Sequence, residues 1–400
     1  MDTRNDHGFS EEVVAAARRR ICDRVDELAD VLIATSHAIH AEPELCFEEH
    51  VAHDLLSGVL TEEGLTVERS AYGLATAFQA DVGVEGPILA VLCEYDALPG
   101  IGHACGHNVI AAAGLGAGLA AAAVAADLGG RVRILGTPAE EGGGGKVLMA
   151  ERGAFEGLAA ALMVHPADAD LENITSLAIQ QVEVTYVGRA AHAAAAPEKG
   201  LNALDAMVLG YMNIAALRQH IAPDERIHGI FTEAGDKANI VPRRSAASWY
   251  SRSPSRAGLE ALNQRVIACL EAGAVAAGCD MEIKWVQPSY DEVVDNRTLL
   301  DRYVANAADV GRDVQPSLHH QVVGSTDMGN VSYLVPAIHP MIKVAPFGTA
   351  IHTEDFASCA TSEEADRAVL DGAKVMALTM ADCWTDPAVL EAARLEFAGF

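Results

Sequence analysis

Apolar residues recur at helical spacing from Glu11 to Ala34, at Val13, Val14, Ala17, Ile21, Val25, Leu28 and Leu32, with Ser10 placed to cap the first turn. That stretch predicts an amphipathic surface helix, and Phe47 to Glu63 predicts a second. Short apolar runs follow at Leu74 to Phe78, Ile88 to Cys93, Val132 to Gly136 and Ala160 to Val164, alternating with helical stretches. The alternation predicts a largely parallel sheet in an α/β layer. Between two of these runs, Val109 to Ala126 carries no charge over 18 residues, but it is mostly Ala and Gly rather than Leu, Ile and Phe. It predicts a tightly packed buried helix rather than a membrane span.

The pattern changes at Leu177. Ala178 to Val187 alternates like a strand, Asn202 to Gln219 reads as a helix, and Arg226 to Thr232 and Ser245 to Ser251 read as strands. Arg256 to Ala272 then reads as a helix and Met281 to Val286 as a last strand. The order is β-α-β-β-α-β, the ferredoxin-like split unit. After Pro288 the α/β character returns, with an apolar run at Ala337 to Val344 and a closing helix from Ser362 to Ala381. The predicted architecture is a discontinuous α/β catalytic domain with a mostly parallel sheet, residues 1–178 and 290–400. A smaller α+β domain, residues 179–289, is inserted in it.

A length of 400 residues suits two or three domains, and 50% hydrophobic with 21% charged residues excludes a wholly disordered or fibrous chain. Lys and Arg total 28 against 56 for Asp and Glu, a formal charge of −28. The longest basic runs are Arg18-Arg19-Arg20 and Arg243-Arg244, so no nucleic-acid partner is expected. Eight cysteines, at 22, 46, 93, 105, 269, 279, 359 and 383, form no C-x-x-C pair, which argues against a disulfide scaffold and a zinc ribbon. The polar start, Met1 to Ser10, has no apolar signal core, and a cytoplasmic enzyme without membrane attachment is expected.

The strongest chemical signal is His103-Ala104-Cys105-Gly106-His107-Asn108, shortly after Glu94-Tyr95-Asp96 at the end of a predicted buried strand. Open α/β sheets place their sites at such carboxyl ends. A thiolate and an imidazole two residues apart, near carboxylates, suit zinc, manganese, cobalt or nickel. A second strand end carries Glu140-Glu141 before four glycines. One carboxylate of such a pair can grip a cation while the other shuttles a proton. A phosphate loop fails there on spacing, because Glu140 and Val147 stand where it needs Gly and Ser or Thr. His165 and His352 stand at two further apparent strand ends. Cys105, His107, Glu141, His165 and His352 together give five ligands from four loops, enough for a two-metal centre with one bridging group.

These segments resemble the co-catalytic metallopeptidases of the aminoacylase and glutamate-carboxypeptidase family. The H-A-C-G-H run is similar to the amidohydrolase branch containing auxin-conjugate hydrolases, p-aminobenzoyl-glutamate hydrolase subunits and Xaa-Arg dipeptidase-like proteins. The likeness runs from His40-Ala41-Glu42-Pro43-Glu44 through E-Y-D-A-L-P, H-A-C-G-H-N and T-P-A-E-E-G to Ala238-Asn239-Ile240-Val241-Pro242 and His352. By that resemblance Cys105 bridges two metals, and His107, Glu141, His165 and His352 are terminal ligands. Glu140 is the general base for the metal-bridging water, and Asp96 orients a ligand. His192 of the inserted domain reaches a partner subunit's site to stabilise the oxyanion, Asn239 and Arg252 hold the substrate's carboxylate end, and that domain carries a homodimer interface. Asn108 and Glu94-Tyr95-Asp96 stand where many relatives have Asp and D-M-D, and these variants look closer to the dipeptidase-like members.

The implied function is metal-dependent hydrolysis of the amide of an N-acyl amino acid or dipeptide with a free carboxylate. A deaminase-like hydrolase of another C–N bond and a non-catalytic metal-binding assembly protein are the alternatives. Glu140, for which no structural need is evident, argues against the second.

Overall fold

The computed structural model describes residues 8–317 and 323–399, so residues 1–7 of the polar start lie outside the described residues. The chain forms two compact units, one of Ser176–Glu292 and the other of the flanking segments up to Thr175 and from Val293.

In the larger unit a six-stranded sheet runs in the order Val67–Arg69, Phe78–Val82, Arg131–Thr137, Ile88–Glu94, Leu158–Leu162, Ala337–Ile338. Ile88–Glu94 pairs in parallel with strands on both sides, and Ala337–Ile338 continues the parallel run. Only Phe78–Val82 is reversed, being antiparallel to both its neighbours. The central strand is buried from Leu89 to Glu94 because helices cover both faces, and so its sequence is an unbroken apolar run rather than an alternation. Glu94 is in register with Thr137, so these two parallel strands end level and their following loops emerge side by side.

Helix His107–Ala125 packs on that strand and on helix Glu363–Thr385. It is long and apolar enough to cross a membrane, yet 89% of its apolar window is buried inside the protein. Its small residues are what permit this packing: a Cβ at Gly114 would lie 2.6 Å from the Leu92 carbonyl oxygen.

Several predicted elements differ in their bounds. The first helix is two, Glu11–Glu27 and Ala29–Ala41, parted where the Leu28 N–H is shared between the Arg24 and Val25 carbonyls. The Leu74 to Phe78 run is not a strand. Ser70 and Tyr72 take positive φ, and the Ala71 N–H donates to the Ala77 carbonyl, closing a turn from which the strand starts only at Phe78. Ala337 to Val344 splits at Pro340 into Ala337–Ile338 and Met341–Lys343, which pair with different strands. Glu363–Thr385 is not the closing helix; Asp386 caps a further one, Pro387–Phe397.

The smaller unit is ferredoxin-like. Its antiparallel sheet has the order Asp280–Tyr290, Ala178–Val187, Arg244–Ser253, Arg226–Glu233. Burial alternates along Ala178–Val187, and the buried face, with Val182, Val184, Tyr186 and Trp249, packs against helices Ala203–Leu217 and Arg256–Ala277. Asn202 and Ser255 cap the two helices, and Gly278 ends the second in the left-handed region.

Replacing Gly114 by Ala should destabilise the larger unit by about 1–3 kcal/mol, as expected for overpacking a filled contact. Thermal unfolding checks this; an unchanged melting temperature would show that helix and strand are not held this closely.

Candidate metal centre

The level strand ends build the site. After Ile88–Glu94 the chain supplies Glu94, Asp96, Cys105 and His107, and after Arg131–Thr137 it supplies Glu140 and Glu141. Gly106 makes the first loop possible. Its φ is 77°, and a Cβ there would meet the Pro166 ring at 2.9 Å, so the chain turns directly into the helix that begins at His107. His165 opens the short strand His165–Ala167. His352, itself at φ 62°, is tied to the cysteine loop by its N–H donating to the Ala104 carbonyl at 2.8 Å.

Cys105 is the common member of two donor groups. One joins Cys105, His107 and His165; the other joins Cys105, Glu141 and His352. In each, the ligand atoms lie within 4.8 Å of one another. A third group of the same compactness joins Glu94, His107 and Glu140.

Hydrogen bonds prepare the imidazoles as ligands. His165 donates from Nδ1 to the Pro166 carbonyl at 2.8 Å, which leaves Nε2 facing Cys105 Sγ at 3.5 Å. Burial, aided by His107, pushes the His165 pKa down to about 4, keeping it neutral. His107 donates from Nδ1 to Asp96 at 3.2 Å, and Asp96 also accepts from the Glu141 amide at 2.9 Å and the Cys46 thiol at 3.5 Å. Burial disfavours a charge on Asp96, but the bond to His107 and its charge outweigh that and hold the carboxyl below its usual range.

The remaining polar atoms converge on one another. His107 Nε2 lies 3.1 Å from Glu94 Oε1 and 3.8 Å from Glu141 Oε1, which in turn lies 3.4 Å from His352 Nε2. Burial opposes a positive His107, but Glu94 first and Cys105 next raise its pKa well above the usual value. Burial raises the Cys105 thiol pKa, so only a cation beside it can hold it as a thiolate. Glu140 is raised well above the carboxylate range by burial and by the charges of Glu94 and Glu141. This convergence of a thiol, imidazoles and carboxylates, soft to hard, fits metal cations.

All seven predicted residues of this unit therefore meet: Asp96, Cys105, His107, Glu140, Glu141, His165 and His352. The other three lie in the smaller unit. His192 and Asn239 are brought together there, with the Ala193 N–H donating to the Asn239 carbonyl at 3.1 Å and His192 bridged to Ile240. Arg252 stands on strand Arg244–Ser253, its Nε 3.4 Å from His228.

Beneath the donors lies a buried ion group that sequence reasoning did not assemble. The fully buried Lys146 ammonium pairs with Glu94 and, at 2.7 Å, with Asp327, whose other oxygen accepts the Lys146 amide at 2.9 Å. Glycines around Lys146 were informative only against a phosphate loop, and nothing local links it to Asp327, 181 residues away.

With this geometry stand the similarities to known proteins. The sequence profile of peptidase family M20/M25/M40 matches residues 90–382. The chain belongs to this family. It is 41% identical to the Xaa-Arg dipeptidase of Mus musculus over 95% of this chain and 92% of that one. It is 27% identical to a p-aminobenzoyl-glutamate hydrolase subunit of Escherichia coli K12, over 97% and 94%. A Bacillus subtilis structure described as a dinuclear metal-binding peptidase of the M20 family shares the fold, with a TM-score of 0.68 and 20% identity over 88% of this chain and 98% of that one. As a member of the M20 family the chain is a metal-dependent hydrolase of amide bonds.

Replacing Lys146 by Met should destabilise the larger unit by about 3–5 kcal/mol, because removing one partner of a buried ion pair leaves its carboxylates uncompensated. Thermal unfolding measures this. Unchanged stability would show that Glu94 and Asp327 do not rely on Lys146.

Proposed function

We propose that the protein is a two-metal dipeptidase that cleaves the amide of a dipeptide or N-acyl amino acid carrying a free carboxylate. The observation that carries this reading is Cys105, shared by two donor groups with Glu140 beside them. In it Cys105 would be shared by both cations, with His107 and His165 holding one and Glu141 and His352 the other. The mixed thiolate, imidazole and carboxylate set favours zinc or manganese, with cobalt or nickel also accommodated. Such cations lower the pKa of a shared water and polarise the scissile carbonyl.

The chain's own residues do the rest. Glu140 takes the water's proton and delivers it to the leaving nitrogen, a role that a buried carboxyl raised above its usual range suits. Asp96 fixes the His107 tautomer. In the smaller unit His192 Nδ1 accepts from the amides of Ala194 and Ala195, each at 3.2 Å, so the proton resides on Nε2, ready to donate to an oxyanion. Asn239 and Arg252 hold the carboxylate end.

His192 follows the strand end where Val187 pairs with Arg244, whereas Arg252 pairs with Ile179 at the other end. About 26 Å of strand rise separates the two ends, so a small substrate meets both only if two copies contribute. The free edge strand Arg226–Glu233 supports a homodimer, since Ile230 is 68% exposed and Phe231 packs on Tyr211 beside exposed Met212. The charge of −28 favours substrates whose side chain is cationic, which points first to dipeptides ending in Arg. All eight cysteines are free thiols, in keeping with a reducing cytoplasm.

Manganese- or zinc-loaded protein tested on acyl-amino acids, Xaa-Arg dipeptides and cyclic C–N compounds should release amine from the dipeptides. Turnover of the cyclic compounds alone would contradict the reading.

Two variants test the roles. Glu140→Gln should retain its metals and lose on the order of 10² to 10⁴ in kcat, whereas near-native kcat would move the base elsewhere. Mixing it with His192→Ala should restore activity, because half of the sites in each mixed dimer regain both groups. Heterodimers without activity would confine His192 to its own chain.

A further inference from the structure

Apart from the Cys46 thiol on Asp96, the loop carrying Pro43 and Glu44 takes no part in the chemistry above, yet it braces the turn that presents Glu140. Ala139, immediately before Glu140, is fully buried and sits at φ 59°, a left-handed conformation uncommon for a residue with a side chain. Its carbonyl accepts from the Gly143 and Gly145 amides at 3.0 and 3.3 Å, so the whole glycine turn hangs from it. What secures its amide is a carboxylate from far along the sequence. Glu49 Oε1 accepts from the Ala139 N–H and the Phe47 N–H, both at 2.9 Å, and Oε2 accepts from the Thr76 hydroxyl at 2.7 Å.

Glu49 is fully buried, and its two oxygens accept from all three partners; burial pushes its pKa up to about 7, against the lowering effect of the Thr76 and Phe47 bonds. Phe47 is itself at φ 63°, and its ring lies so close over the turn that a Cβ on Gly143 would meet it at 2.4 Å. The loop is anchored in its turn: the Glu44 carbonyl accepts from Ala97 at 2.8 Å, and its carboxylate accepts from Val51 and Ala52.

We propose that Glu49 is a positioning residue for Glu140: its carboxylate clamps the Ala139 amide and thereby holds the left-handed turn that aims Glu140 at the substrate. This rests on Glu140 being the base.

The test uses full-length, metal-loaded protein with Ala-Arg as substrate. It follows kcat, KM, bound metal and amide hydrogen exchange over residues 137–145. E49D keeps the charge but is one methylene short of spanning both amides, while E49Q keeps an acceptor oxygen for them. In E49D, kcat should fall on the order of tenfold to a hundredfold, with KM and metal content within about twofold, as for a misplaced catalytic group. E49Q should stay within about threefold of the native rate. Exchange at Ala139 should rise in E49D. Adding A139G to E49D should restore most of the rate, because glycine holds positive φ without the clamp.

Unchanged kcat and exchange in E49D would overturn the proposal, as would a loss that A139G fails to restore. Should E49D unfold below the assay temperature, E49Q and E49Q/A139G decide. A near-native E49Q rate supports the clamp, and a loss beyond about tenfold that A139G leaves unrepaired overturns it. Failure of the base assignment shows separately, as native kcat in E140Q, and the exchange measurement reads the clamp in either case.

Discussion

Uncompensated negative charge in the interior governs this structure. Glu94, Asp96 and Glu140 are buried around His107, with Glu141 and the Cys105 thiol beside them and Asp327 buried against Lys146. Among the described residues of the group, Lys146 supplies the one buried ammonium, and it is engaged by Glu94 and Asp327. Taking carboxylates out of water costs several kcal/mol each unless a cation or hydrogen bonds compensate. Glu94, Asp96, Glu140 and Glu141 converge on His107, more carboxylates than it and Lys146 can offset, so cations complete the site electrostatically as well as chemically.

The scaffold makes this concentration of charge tolerable by making it rigid. Parallel strands that end in register put two loops at one height, and an alanine- and glycine-rich helix lies close enough on the sheet for Gly106 to turn straight into His107. The three candidate imidazole ligands each have a neighbour that fixes them: Asp96 for His107, the Pro166 carbonyl for His165, and the Ala104 carbonyl for the His352 backbone. Such supporting bonds decide which lone pair faces the metal and are as much a part of the centre as the ligands. In the same way Glu49 supports the turn before Glu140.

Much of this was legible in the sequence because its cause is local. Strand-end motifs carried four of the five candidate metal-binding residues, His352 standing instead in a loop before helix Glu354–Cys359, and the inserted unit declared itself through alternation along Ala178–Val187. What stayed hidden depends on distance. Lys146 meets Glu94 across 52 residues and Asp327 across 181, and Glu49 meets Ala139 across 90. No periodicity or spacing encodes such pairs. The misplaced strand at Leu74 had another origin: an apolar run signals burial, and a left-handed turn at Tyr72 buried it without pairing it.

The central claim is that one thiolate joins two cations. Anomalous diffraction from crystals of the zinc- or manganese-loaded protein tests it most directly. The account predicts two peaks flanking Cys105 Sγ, one beside His107 and His165 and the other beside Glu141 and His352. A single peak, or two of which only one contacts Cys105, would contradict it.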